Sequence, residues 1–205
     1  TLSLHDALPI SDKIDVVHCG LNEHFKAPDP VASSQYLETV TNGKPYFLFT
    51  GSFQPRKNII GIVKAFDLFR ANGTGQTKLV LAGNFQCASR EIKSAISAAK
   101  YYDDIILPGM VSAEQLNILT FGAQAMVFPS FFEGFGMPVL EAAAAKIPVI
   151  TSQKSVMEDI AGEAAVLVDP YSPDDIADAM LRLDLDQELR SLKGDALHKA
   201  VSGYT

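Results

Sequence analysis

From Lys44 onward, short runs of consecutive apolar residues alternate with stretches of helical periodicity. The apolar runs predict strands at Tyr46–Thr50, Lys78–Ala82, Asp104–Leu107, Ala125–Pro129, Pro148–Thr151 and Ala165–Val168. Between and after them, helices are predicted over Asn58–Asn72, Ser89–Lys100, Ala113–Thr120, Met137–Ala145, Ser155–Ala161, Pro173–Leu183 and Asp186–Ser202. Strands that are apolar at every position are buried on both faces, which points to a parallel sheet covered by helices on each side. The expected fold is a doubly wound α/β domain over 44–205, with ligands at the carboxyl ends of its strands. Residues 11–43 read as a connecting region: a short strand Ile14–His18, a turn Cys19–Asn22, a loop with Pro28 and Pro30, and a helix Ser33–Val40. Residues 1–10 follow neither period, are interrupted by Pro9, and resemble a translated sequencing-library adapter, so they are set aside; an inter-domain linker is the other reading.

Composition narrows the possibilities. The 205 residues are 47% hydrophobic and 20% charged, enough for a substantial core and incompatible with general disorder. A formal charge of −7 argues against a broad nucleic-acid surface or an anionic-membrane surface. Cys19 and Cys87 form neither a disulfide framework nor a zinc cluster, which favours a reducing, cytoplasmic setting. No apolar run reaches the roughly 18 residues of a membrane span, and the start does not read as a signal peptide. The chain opens on Thr1 and contains no Trp, which raises the expectation that it is a fragment.

Two strand-to-helix loops carry candidate chemistry. In Gly51-Ser52-Phe53-Gln54-Pro55-Arg56-Lys57-Asn58, Gly51 permits a tight turn, Asn58 is expected to cap the next helix, and Arg56 and Lys57 stand beside its positive end. Two cations and free N–H groups facing one volume suit a mono- or diphosphate; a solvated basic pair is the plainer alternative. In Pro129-Ser130-Phe131-Phe132-Glu133-Gly134-Phe135-Gly136-Met137, Gly134 and Gly136 let a ligand approach the backbone, and N–H groups around Phe135–Met137 offer a second anion site. Glu133 in that loop and Glu141 one turn into the next helix are expected to accept hydrogen bonds from sugar hydroxyls rather than to face a phosphate. The alternative is carboxylates complementing a helix dipole. Dinucleotide, P-loop and nucleophile-elbow motifs are absent. His18, His24 and His198 have no metal-ligand spacing, and no metal is expected. The interval 158–188 holds ten acids against the single base Arg182 and reads as a solvated helical face.

The stretch Phe132–Glu141 (FEGFGMPVLE) resembles the E-x7-E motif of the retaining glycosyltransferases of family 4, which have the GT-B fold. The likeness extends over nearly all of residues 44–205. GSFQPRKN resembles that family's phosphate loop, LVLAG its second strand, LPGMVSAEQLNIL its base-binding segment, and PVITSQKSVMEDIAGEAAVLVDP the segment behind its active site, with Met157 where a proline is usual. Cys19–Phe25 resembles the connector between the family's two domains.

The resemblance implies the Rossmann-like donor half of a GT-B enzyme. In it Arg56 and Lys57 would bind the donor diphosphate, Glu133 the transferred sugar and Glu141 the ribose. The backbone at Gly134, Phe135 and Gly136 would lie near sugar and phosphate, Met110 and Val111 would lie against the base, and Gly51 would belong to the donor site. It implies a nucleotide-diphosphate sugar as substrate, with GDP-mannose favoured by the PRKN variant, and no metal cofactor. A glycan or lipid-linked acceptor would be held by an amino-terminal domain that these residues do not resemble, through which peripheral contact with the inner face of the membrane would also run. Without that domain the chain is expected to be inactive. A nucleotide-sugar-binding module that does not catalyse transfer, and half of a nucleotide-sugar epimerase, are the alternatives.

Overall fold

Each predicted apolar run becomes a strand, and each strand but the last passes into the predicted helix before the next. The computed structural model describes residues 20–21, 25–73 and 75–204. The order is α1 Pro30–Thr41, β1 Tyr46–Thr50, α2 Ile59–Asn72, β2 Lys78–Ala82, α3 Arg90–Ser97, β3 Ile105–Gly109, α4 Ala113–Gly122, β4 Ala125–Phe128, α5 Met137–Ala144, β5 Val149–Ser152, α6 Val156–Ala161, β6 Val166–Val168, α7 Pro173–Leu185 and α8 Gln187–Ala200. The strands form one parallel sheet in the order β3-β2-β1-β4-β5-β6. The α2 helix packs with α3 and α7 on one face, while α4, α5 and α8, together with α1, cover the other. The sheet is therefore the doubly wound, Rossmann-like arrangement that its apolar runs require. The predicted strand Ile14–His18 and most of the Cys19–Phe25 connector lie outside the described residues.

Burial explains why these runs are strands. Every residue of β1, β4 and β5 is buried, and Phe47, Leu48, Phe49, Leu79, Leu81 and Phe128 meet Phe66 and Phe69 from α2 in one core. Helix starts follow from short polar side chains: Asp29 accepts from the Val31 and Ala32 amides, Ser89 from Ile92, Ser172 from Asp175 and Asp186 from Leu189. Ser112 and Gln115 form a reciprocal capping box on α4.

The boundaries shift where tertiary contacts intervene. The predicted helix to Lys100 stops at Ser97, because the Asp67 carboxylate on α2 accepts the Lys100 and Tyr101 amides at 3.0 Å each. The strand expected to end at Leu107 runs on to Gly109, whose carbonyl accepts the Gly83 amide.

Asn58 departs most from expectation. It does not cap α2 through its side chain; its backbone is left-handed, with φ 59°. The buried amide instead donates to the Pro129 carbonyl at 3.0 Å and the Pro170 carbonyl at 2.6 Å, sewing together the loops after β1, β4 and β6. Asn tolerates this backbone better than most residues, and its amide reaches both acceptors from it. Asn58→Ala leaves two buried carbonyls unpartnered and a methyl side chain in the left-handed region. It is expected to cost about 3 kcal/mol, measured by urea unfolding. A loss under about 1 kcal/mol would show that the three loops hold without the clamp.

Candidate functional site

In a doubly wound sheet the natural crevice opens where neighbouring strands send their chains to opposite faces. Here that point lies between β1, which leads to α2, and β4, which leads to α5. The loops 51–58 and 129–136 meet there, joined by the Phe131 amide donating to the Arg56 carbonyl at 2.8 Å.

A short 3-10 turn, Pro55–Lys57, aims both cations into the crevice. Glu133 lies between them: Arg56 Nη1 is 2.6 Å from Oε2, and Lys57 Nζ is 2.7 Å from Oε1. Arg56 also donates to the Phe132 carbonyl and to Gln54 Oε1. The Lys57 ammonium lies 4.5 Å from the centre of the Phe128 ring, a cation–π contact in a site where its side chain is only 10% exposed. The expected pair of open cations is thus a closed triad in this structure, with the loop acid serving as the anion. Burial opposes ionisation of Glu133, but hydrogen bonds from Lys57 and Arg56 outweigh it and hold its pKa below the ordinary carboxylate range.

On the β1–β2–β3 side of the triad, a cavity of about 310 Å³ is lined by Gly51, Ser52, Gly83, Met110, Val111 and Leu116, among others. Gly83 is obligatory here: its φ is 153°, and a Cβ on it would lie 1.9 Å from the Gly51 carbonyl oxygen. Met110, a large apolar side chain, is 76% exposed at the rim. The structure therefore brings Gly51, Met110 and Val111 to one surface beside Arg56 and Lys57.

Glu141, on the second turn of α5, sits deeper. Burial pushes its carboxyl above the ordinary range, while hydrogen bonding from Thr50 and the charge of Lys57 offset part of that shift. Its Oε2 is buried and accepts no hydrogen bond among the described residues. Gly136 opens α5 with φ 102°, and a Cβ there would lie 2.9 Å from Met157, so Met157 and Gly136 fit each other closely. Phe135 packs edge-on against Tyr204 at 5.8 Å. Gly134 is exposed with open space around it, so no packing constraint demands glycine there. Among the described residues, no group of three His, Cys, Asp or Glu side chains is placed to hold a metal ion. No helix among them is long and apolar enough to cross a membrane.

The sequence profile of the family described as glycosyl transferases group 1 matches residues 38–195. The chain belongs to that family. It is 31% identical over 147 residues to O-antigen chain mannosyltransferase B of Escherichia coli, covering 72% of this chain and 39% of that protein. Among solved structures it superimposes on sucrose-phosphate synthase (tll1590) from Thermosynechococcus elongatus with a TM-score of 0.77 and 25% identity, covering 91% of this chain and 47% of that one. It superimposes on Anabaena Alr3699/HepE, solved in complex with UDP-glucose, with a TM-score of 0.81 at 14% identity, covering 93% and 53%. The chain spans 39% and 18% of the first two curated relatives it matches, so it corresponds to a part of each. Within the group 1 match lie the triad, Glu141 and the Met110 cavity alike.

The two glutamates predict opposite pH behaviour. The pKa of Glu133 is depressed in the fold, so its stabilisation is present above its ordinary value of 4.5 and fades as pH falls through the folded value. The pKa of Glu141 is raised, so the chain gains stability as pH falls through its folded value towards 4.5. Glu133→Gln is expected to lower the urea midpoint at pH 7 and to converge on the parent in acid. Glu141→Gln is expected to raise the midpoint at pH 7, an advantage that shrinks on acidification. The reverse order of the two variants at pH 7 would contradict the assigned environments.

Proposed function

We propose that this chain is the donor-binding half of a hexosyltransferase, which moves a sugar with retention from a nucleotide-diphosphate sugar to a glycan or lipid-linked acceptor. The observation that carries the reading is the Arg56–Lys57–Glu133 triad at the switch point, flanked by the Met110 cavity and backed by buried Glu141. On binding, the diphosphate takes the place of the Glu133 carboxylate between the two cations, and Glu133 turns to the hydroxyls of the transferred sugar. The base lies against Met110 and Val111 beside Gly51, and the free Oε2 of Glu141 accepts from the ribose. The backbone of Gly134, Phe135 and Gly136 runs along the sugar and phosphate.

Cleavage of the glycosidic bond builds negative charge on the departing diphosphate and positive charge on the sugar's anomeric carbon. Arg56 and Lys57 neutralise the first without a metal, and fixed donors of this kind are typically worth about 3 kcal/mol each in the transition state. The mannosyltransferase likeness supports a mannosyl donor, and the PRKN variant of the phosphate loop is our ground for GDP-mannose; the UDP-glucose complex of the Anabaena neighbour supports a nucleotide sugar as the ligand class. Residues 44–205 form the donor domain and 11–43 lead into it from a second domain that carries the acceptor site, without which this chain does not turn over. The setting is the cytoplasm, with contact to the inner face of the membrane made through that second domain.

Calorimetry with UDP, GDP and their sugars tests the reading. A nucleoside diphosphate is expected to bind, with Lys57→Ala weakening it by about tenfold or more while the parent nucleoside is unaffected. Glu141→Ala is expected to weaken diphosphate and nucleoside alike. In the complete enzyme Lys57→Ala should lower kcat by roughly 10²-fold. Equal nucleotide affinity in parent and Lys57→Ala would remove the triad from donor binding.

A further inference from the structure

The carboxyl edge of the sheet carries a second cavity that the donor site does not use. It lies beyond the triad, at the ends of β4, β5 and β6, has a volume of about 370 Å³, and is lined by Phe131, Gln153, Lys154, Ser155, Asp169 and Tyr171 among others. That size falls within the range of roughly 300–1,000 Å³ typical of small-molecule sites. Along the strand order the edge thus holds the Met110 cavity at β3–β2–β1, the cations at β1–β4, and this cavity at β4–β5–β6.

Two aromatic rings form part of its otherwise largely polar wall. Phe131 and Tyr171 stack with centroids 4.8 Å apart and planes at 25°, and the residues remain 40% and 77% exposed, so Phe131 backs one face of Tyr171 while most of Tyr171 stays open to a ligand. The platform is held from behind. The Tyr171 amide donates to Asp169 Oδ1, the Asp169 amide donates to Asp175, and the Asn58 amide grips the Pro170 carbonyl. The Phe131 amide is bonded to the Arg56 carbonyl. The backbone that carries the two rings is therefore tied to the loop of Arg56 by hydrogen bonds.

The polar lining is mixed. Lys154 and Gln153 are exposed, Asp169 brings a carboxylate, and Ser155, whose hydroxyl donates to the Ser152 carbonyl, keeps its oxygen lone pairs for accepting. A carboxylate and a lysine within one cavity favour neither an anion nor a cation. A neutral polyol can use both, and a pyranose has an apolar face of C–H bonds that lies flat on an aromatic ring.

We propose that this cavity is a pyranose subsite of the acceptor glycan, with the Phe131–Tyr171 pair as its stacking platform. It rests on the nucleotide-sugar reading only for the choice of a sugar as ligand. The acceptor would then be gripped from the donor half as well as from the second domain, and its sugar rings would lie beyond the diphosphate along the same edge.

The test uses this chain with α-mannobiose and maltose as probes, by saturation-transfer NMR, alongside calorimetry with GDP and UDP on the same samples. Saturation transfer to at least one disaccharide is expected. Tyr171→Ala should weaken that disaccharide by about tenfold or more, Tyr171→Phe should keep it within about threefold of the parent, and nucleotide affinity should stay within about twofold in both. No transfer to either disaccharide, or equal transfer in parent and Tyr171→Ala, would overturn the proposal. Disaccharide binding that depends on Tyr171 in a chain that binds no nucleotide would uphold the subsite while refuting the donor reading, so the two fail separately.

Discussion

A lysine ammonium that is only 10% exposed at the end of a parallel sheet requires an anion beside it, and this requirement organises the crevice. Lys57 is carried there by a tight turn after β1, against the Phe128 ring. In this structure its anion is Glu133, 77 positions from Arg56 in sequence, and the pairing folds the loop after β4 back over the loop after β1. That fold in turn sets where α5 begins, and with it the left-handed Gly136 and the burial of Glu141. An anion that replaced the Glu133 carboxylate would meet two cations already held at its spacing, and the loop would be released at the same moment.

The electrostatics are local. A chain with a formal charge of −7 still concentrates a guanidinium and an ammonium in one partly enclosed crevice, where low solvent access strengthens their pull on an anion. The region that matches the glycosyl transferases group 1 family spans both loops. Asn58 supplies the mechanical counterpart. By bonding two prolyl carbonyls 71 and 112 positions away, it links the crevice of Arg56 and Lys57 to the turn that carries Tyr171, so that the two sides of the sheet edge keep a fixed spacing.

Much of the fold was legible because parallel strands are apolar at every position and alternate with stretches of helical period. The runs at Tyr46–Thr50 and Ala125–Pro129 match β1 and β4 to within a residue. What could not be read were partners distant in sequence. Asn58 in front of a helical pattern reads as a cap, and only the arrival of Pro129 and Pro170 makes a different bonding better. The end of α3 at Ser97 depends on Asp67, which no local pattern near residue 100 reveals. Arg56, Lys57 and Glu133 stood out in the sequence as candidates and the structure brings them together, but their mutual pairing was not legible. The one available signal was charge complementarity between a lone loop acid and two loop bases. Phe131 and Tyr171 gave no signal at all, since an exposed aromatic pair forms only when the ends of β4 and β6 meet.

The central claim is that the triad is a diphosphate site whose anion position Glu133 occupies until the nucleotide arrives. A crystal structure of the chain with GDP or UDP tests it most directly. The account predicts diphosphate oxygens within hydrogen-bonding distance of Arg56 and Lys57 Nζ, the base against Met110, and the Glu133 carboxylate moved off both cations. A nucleotide bound elsewhere with the Arg56–Glu133–Lys57 contacts intact would contradict it.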